Sequence, residues 1–429
     1  MRITFNGAAR TVTGSQYLLE AIGSKVLLEC GLFQGHRADT YVRNRSFSFN
    51  PAGLSAVLLS HAHIDHSGNL PNLVKQGYEG PIYATRATVS LAEIMLLDSG
   101  HIQEADVEFI NKRRLKRGEP LAEPLYTEED AARVAPLLRP VDYNKPFEAA
   151  PGMMVEFIEA GHILGSAGLR IEVQEERRKT RLWFSGDIGR PGLPIVRDPV
   201  LPEDVDYLMM ECTYGDTQHD DPEIAHREFA EIVQRTIRHG GKIIIPAFAV
   251  GRTQDLVFTL NQLVSDKFIP PIPVYVDSPL AVQASQVFIK HPECYDSETN
   301  TFIREARHPA LTFPGLSYVK SVEESKAINT KKGPLIIISA SGMAETGRIL
   351  HHLKNNIGDP KNTVLIVSWQ APDTLGRRLA DGAKVARIFG EEYPVRAEIV
   401  KIGGLSAHAG QDMLVKYALA VKGRVKGIF

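Results

Sequence analysis

The stretch Ser60-His61-Ala62-His63-Ile64-Asp65-His66-Ser67-Gly68 follows directly on the apolar run Ala56-Val57-Leu58-Leu59. That order predicts a buried strand whose C-terminal end delivers polar side chains, and Leu70, Leu73 and Val74 then fall on one face of a helix. Asp65 and His66 are therefore expected where strand gives way to helix. A lone histidine is ordinarily a surface or hydrogen-bonded structural residue. Three histidines and an aspartate within six positions point instead to metal ligation. Imidazole nitrogen and carboxylate oxygen suit zinc and related divalent ions, and four such candidates allow one closed site or the halves of two adjacent open ones.

The rest of the composition sets limits. A chain of 429 residues exceeds one ordinary core and predicts two domains. The formal net charge is only −2, so any polyanion-binding surface has to be a local cationic patch. Cys30, Cys212 and Cys294 are far apart and form no C-x-x-C pair. That usage fits a reduced compartment. No charged-then-apolar leader opens the sequence, and no apolar run approaches the roughly 18 residues of a membrane span. The expectation is a soluble, cytoplasmic protein without membrane contact.

In chain order, Arg2 to Phe5, Ser15 to Ala21 and Lys25 to Cys30 read as three strands of one sheet, followed by Glu29-Cys30-Gly31. Between the first two strands, the small-residue loop Gly7 to Gly14 reads as a tight turn or as a place where backbone approaches a ligand. Pro81 to Thr85 is a strand and Ala87 to Ser99 a helix. The basic run at Lys112, Arg113, Arg114, Lys116 and Arg117 reads first as a solvated face and second as an RNA contact. Thr127-Glu128-Glu129-Asp130 carries the signature of a helix start. Two more strand-like runs end in polar turns: Val155 to Ala160 before Gly161-His162, and Leu182 to Ser185 before Gly186-Asp187. From about Tyr207 the character changes to alternating helices and strands of an α/β domain. The runs Leu335 to Ser339 and Val364 to Val367 are apolar throughout, as in central parallel strands.

The H-x-H-x-D-H signature resembles that of the metallo-β-lactamase fold hydrolases. The blocks Pro246 to Gln254, Val276 to Ala281, Ser339 to Met343 and Thr374 to Leu379 narrow the resemblance to the β-CASP nucleases, which include RNase J and the cleavage and polyadenylation endonuclease. This implies an α/β (α+β) fold, a metallo-β-lactamase αββα sandwich with an inserted α/β β-CASP domain that caps the metal face. The expected boundaries are 1–208 for the first part of the sandwich, 209–395 for the insertion and 396–429 for the return, with a strand at Ala397 to Lys401.

The resemblance also implies a function: a two-zinc phosphodiesterase acting on single-stranded RNA. His61, His63 and His162 would hold one zinc, Asp65 and His66 the other, and Asp187 would bridge them. Asp65 would also orient the nucleophile, and His408, paired with Glu211, would protonate the departing oxygen. Arg252, Arg348, Arg377 and Arg378, each close to a glycine, are candidate phosphate contacts, with Ser339, Ser341 and Gly342 as a smaller nest. For these residues capping serines and surface arginines are the equal alternative. Two departures stand out. Glu29 occupies a place where the family carries an aspartate behind the ligands, and the segment Gly423 to Phe429 reads as the opening of a strand that stops before the histidine expected to complete the second zinc site. A weakened second site would leave a catalytically impaired RNA-binding protein. A DNA-processing nuclease and a hydrolase of small thioesters or lactams rank behind it, and a homodimer is an open alternative.

Overall fold

The structure is a computed structural model that describes residues 1–35, 37–176, 178–306, 309–421 and 425–429; of residues 37–39 only the backbone is described. The chain forms two compact units, the first from Met1–Gly189, Asp198–Gly215 and Asp412–Phe429, the second from Arg190–Arg197 and Asp216–Gln411.

In the first unit, β1 (Arg2–Phe5), β2 (Tyr17–Ala21), β3 (Ser24–Leu28), β4 (Ala56–Leu58), β5 (Ile82–Thr85) and β6 (Leu138–Val141) lie in one sheet in that order. A second sheet holds β7 (Phe147–Ala150), β8 (Met153–Glu159), β9 (Ala167–Glu175), β10 (Arg178–Phe184) and β11 (Tyr207–Met209), with the last strand, Gly427–Ile428, on its edge beside β11. Leu19, Val26, Leu28 and Leu58 of the first sheet pack against Phe157, Leu169, Ile171 and Phe184 of the second. The alternation of inward apolar residues in β8 to β10 produces this sandwich. The strand opening read at Gly423 and Arg424 lies outside the described residues.

The helix expected over residues 87–99 extends from Arg86 to Arg117, where Gly118 ends it in a left-handed conformation (φ 64°). Its last turns carry the basic run on an exposed surface, with Lys112 paired to Glu108 at 2.8 Å. Thr127 and Asp130 form the expected reciprocal cap. Among the described residues no helix is long and apolar enough to cross a membrane.

The second unit is built on β12 (Lys242–Pro246), β13 (Val274–Val276), β14 (Leu316–Tyr318), β15 (Leu335–Ser339) and β16 (Thr363–Ile366), a small hairpin of β17 (Val385–Ile388) and β18 (Glu391–Pro394), and β19 (Glu398–Lys401). The main sheet runs β14-β13-β15-β12-β16-β19, and all of its pairings are parallel. Continuous burial of Leu335 to Ser339 and Thr363 to Ile366 follows from helices on both faces.

One expectation is corrected here. The strand near 397–401 does not return to the sandwich: β19 pairs with β16, Thr363 opposite Glu398 and Ile366 opposite Lys401. The chain rejoins the first unit only at Asp412. Four residues of strand carry no local signal for which sheet they enter, because the choice is made by the backbone edge that β16 leaves open.

A buried polar cluster fixes the strand ends of this sheet. Asp277, just past β13 and fully buried, accepts from Arg348 Nη1 at 2.6 Å, His352 Nε2 at 2.6 Å and Ser325 Oγ at 2.5 Å. Its backbone carbonyl accepts from Ser339 Oγ at 2.7 Å, and His352 Nδ1 faces Asn329 Oδ1 at 3.0 Å.

Candidate metal centre

In the first sheet β3 and β4 are parallel, and in the second β8, β10 and β11 share one direction, β10 with β11 through parallel pairing and β8 with β10 through antiparallel pairing to β9. Their C-terminal ends carry Glu29, the His61–His66 motif, His162, Asp187 and Glu211. Backbone bonds lock these ends together: Cys30 N donates to His66 O at 2.7 Å, Ala167 N to Ser60 O at 2.9 Å and Gly189 N to Ala160 O at 2.8 Å. Close approach requires glycine at two points. A Cβ on Gly31 would lie 1.6 Å from Asp65 O, and one on Gly189 would lie 1.7 Å from Gly161 O.

Asp65 and His66 sit on a single helical turn, Ile64–Ser67. His61 Nε2 and His162 Nε2 approach His63 Nδ1 at 3.1 and 3.2 Å, and both lie 3.5 Å from Asp187 Oδ2. A regular tetrahedron with corners about 2.0–2.1 Å from its centre has edges of about 3.3–3.4 Å, the spacing of a four-coordinate zinc-type site. The four residues thus present a donor set sized for one cation.

The other oxygen of Asp187 serves a second set. Oδ1 lies 3.3 Å from His66 Nε2, which in turn lies 3.9 Å from Asp65 Oδ2. His66 is oriented from behind, its Nδ1 donating to Glu29 Oε2 at 2.9 Å while Glu29 Oε1 accepts from Ser60 N at 2.7 Å. Glu29 is fully buried at φ 63°, a left-handed backbone uncommon for a residue with a side chain. The longer carboxylate thereby reaches both partners. On the other side, Ser60 Oγ meets His61 Nδ1 at 2.9 Å and leaves Nε2 directed into the cluster.

The electrostatics favour added positive charge. Burial, then the charge of His66, lowers the His61 pKa well below its ordinary value, so this imidazole is neutral. Burial also acts to lower His66, yet Asp187, Asp65 and the bond to Glu29 leave it raised well above the usual range. Burial pushes Glu29 upward, partly offset by His66 and Ser60. The carboxylates of Asp187, Asp65 and Glu29 that raise His66 are charges a divalent ion would satisfy more fully.

All six residues read as metal ligands are thus brought together. Glu211 has a role the sequence does not reveal: its Oε1 accepts from Ile188 N at 2.6 Å and its own N–H donates to Ser185 Oγ at 3.1 Å, bracing the loop that carries Asp187. His408 belongs to the second unit, between β19 and the last helix, with its N–H on Ser406 Oγ at 3.3 Å.

The phosphate candidates divide. Ser339 is buried and spends its hydroxyl on Asp277, and Arg252 is buried beside Asp255 at 3.3 Å. Arg348 is held by Asp277 and by Lys320 O at 3.1 Å. Ser341 Oγ accepts from Glu345 N at 3.2 Å, Gly342 O accepts from Gln370, and Arg377 pairs with Asp381 at 2.8 Å. Arg378 is exposed. Asp277, His352 and Glu29's dual bonding depend on partners distant in sequence. Only the buried-strand-then-polar pattern at Val276-Asp277 hints at any of them.

Comparison with known proteins gives two family matches, "Metallo-beta-lactamase superfamily" over residues 9–231 and "Beta-Casp domain" over residues 253–379. The chain is 39% identical over 418 residues to Ribonuclease TTHA0252 of Thermus thermophilus, covering 97% of this chain and 90% of that protein. It is 29% identical to the RNase J-like protein of Methanocaldococcus jannaschii, covering 97% and 88% of the two chains. Transcription termination factor FttA of Methanosarcina mazei is 30% identical across 100% of this chain, which spans 66% of that longer protein. A crystal structure of a protein of unknown function from Enterococcus faecalis V583 shares the fold, with TM-score 0.56 and 13% identity over 97% of this chain and 91% of that one.

Proposed function

Because the chain belongs to the metallo-β-lactamase superfamily and carries its Beta-Casp domain, we propose that it is a metal-dependent ribonuclease that hydrolyses phosphodiester bonds of single-stranded RNA, with zinc as the ion. The observation that carries this reading is the division of Asp187 between two donor sets, Oδ2 toward His61 and His162 and Oδ1 toward His66. The names of the relatives, ribonuclease and RNase J-like protein, favour RNA over DNA.

His61, His63, His162 and Asp187 would hold one ion, and Asp65, His66 and Asp187 the other. Bound there, such ions lower the pKa of a water toward neutrality and offset charge on the phosphoryl oxygens. The chain's own residues set the geometry for this. Ser60 and Glu29 fix the ring planes of His61 and His66, and Glu211 holds the Asp187 loop through Ile188 N. Asp65, partly exposed, is suited to accept a hydrogen bond from the attacking water. His408 is assigned the donation of a proton to the departing 3′-oxygen, on the block Gly403 to Gln411 alone. Ser341, Gly342, Arg348, Arg377 and Arg378 are assigned to phosphates of the bound strand.

Elemental analysis alongside cleavage of matched labelled RNA and DNA tests the function. Close to two zinc ions per chain are expected, with RNA cut in preference to DNA, activity lost on chelation and restored by added zinc. Chelator-insensitive cleavage, or intact RNA at full metal loading, would overturn the reading.

Glu29→Gln tests the support of the second set. Glutamine keeps the volume, but it has one acceptor oxygen where Glu29 uses two, so its amide nitrogen, a donor, is set against either Ser60 N or His66 Nδ1. Affinity for the second ion is expected to fall about 10- to 100-fold. Zinc titration should show the tighter ion unchanged, and two unaltered binding steps would refute the role of Glu29.

A further inference from the structure

The chain leaves β12 through the helix Arg252–Ser265 toward β13, on one side of the sheet, and leaves β16 through the helix Leu375–Ala380 toward β19, on the other. The neighbours β12 and β16 therefore form a topological switch point, and in open α/β sheets ligands settle in the crevice beyond the strands' carboxyl ends at such a point. Each of the two loops there presents a large aromatic side chain to solvent: Phe248, 43% exposed, two residues past β12, and Trp369, 55% exposed, three residues past β16.

Neither sits on a slack loop. Phe248 O accepts from Thr253 Oγ1 at 2.7 Å, and a Cβ on Gly342 would lie 3.1 Å from both the ring and the backbone nitrogen of Phe248. The side-chain amide of Gln370, itself 5% exposed, donates to Gly342 O at 3.0 Å and to Trp369 O at 3.2 Å, tying the loop after β16 to the loop after β15 that packs against Phe248. Gly376 N donates to Met343 O at 3.0 Å, which fixes the helix bearing the exposed Arg377 and Arg378 against the same edge. Rigid apolar rings held in water lose little entropy on meeting a flat π-face. An unpaired nucleobase offers that face and a phosphate next to it.

We propose that Phe248 and Trp369 form a stacking platform for unpaired nucleobases of single-stranded RNA, with Arg377 and Arg378 at the adjoining phosphates. This site rests on the ribonuclease reading and adds to it the element that grips bases without reading their sequence.

The molecule supplies its own probe. It has two tryptophans, and Trp183 is 2% exposed with its Nε1 on Tyr417 OH at 2.7 Å, so an oligonucleotide that quenches tryptophan emission reports on Trp369. The metal-loaded full chain is titrated with a hydrolysis-resistant phosphorothioate oligoadenylate and with its abasic counterpart, and RNA cleavage is followed in parallel. Quenching by the oligoadenylate and little by the abasic strand is expected. Trp369→Ala and Phe248→Ala should each weaken binding about 5- to 100-fold at unchanged melting temperature, acting on KM more than kcat, whereas Trp369→Phe keeps most of the affinity and loses the signal. Equal quenching by the abasic strand would place the contact on phosphate and overturn the platform. Alanine variants that bind as the native chain does would also overturn it. If native protein cleaves RNA without quenching, the platform falls and the ribonuclease reading stands; if it neither binds nor cleaves, both fall.

Discussion

Asp187→Ala is expected to lower RNA cleavage by about a thousandfold or more, since loss of metal-borne charge stabilisation is worth several kcal/mol and each 1.36 kcal/mol is tenfold in rate. One residue supplies oxygens to both donor sets, within 3.3 to 3.5 Å of His61, His162 and His66, so its removal opens both at once. Replacing His162 takes a corner from one set only and should leave the other ion in place. Turnover at saturating RNA, zinc per chain and thermal unfolding distinguish these cases. Activity within tenfold of native for the Asp187 variant would sink the assignment. Loss of fold is not expected, because Asp187 is carried on a loop braced independently through Ile188 N and Ser185.

Asp277→Asn is expected to reduce stability by about 3–5 kcal/mol, the range for breaking a buried charge pair and leaving the partner uncompensated. Asparagine keeps the shape but offers its amide N–H to one of three donors, Arg348, His352 or Ser325, that now require an acceptor. The pH dependence has a definite sign. Burial acts to raise the Asp277 pKa, but the hydrogen bonds from His352, Ser325 and Arg348 outweigh it and leave it below the ordinary 3.8. A depressed folded-state value means that the ionised carboxylate stabilises the fold above the unfolded pKa and loses that contribution as pH falls through the folded one. The gap in unfolding free energy between native and variant should narrow as pH falls below about 4. A gap under 1 kcal/mol at pH 7 would contradict the cluster's role.

The legible parts of this chain were those whose signal is local. The cluster at His61 to His66 is conspicuous within six positions, and the parallel strands of the second unit announce themselves as unbroken apolar runs. Lys242–Pro246, Val274–Val276 and Leu335–Ser339 have in the structure the bounds expected from the sequence. His162 and Asp187 needed more. Each follows a strand and a glycine, but only the family resemblance joined them to the first motif. What stayed hidden depends on pairing across long separations. His352 meets Asp277 from 75 positions away, and nothing periodic marks either residue. The helix Arg86–Arg117 outran its apolar face because its charged end is propagated by backbone hydrogen bonds and good helix formers, not by burial. The strand Glu398–Lys401 pairs with β16 and not with the sandwich for the complementary reason: its partner edge is a tertiary fact.

The donors gathered at one end of the sandwich come from strands far apart in the chain, with His63 and His162 separated by 99 positions and Glu29 and His66 by 37. Closing such loops has an entropic cost before any contact is gained, so non-local sites assemble slowly and late. The two sheets must dock before His162 and Asp187 can face the histidine motif. An ion arriving early would find only His61, His63, Asp65 and His66 on a flexible segment and would be held weakly. Uptake of the metal is therefore a clock for completion of the first unit. In refolding experiments it should lag the burial of Phe157 and Phe184 instead of leading it.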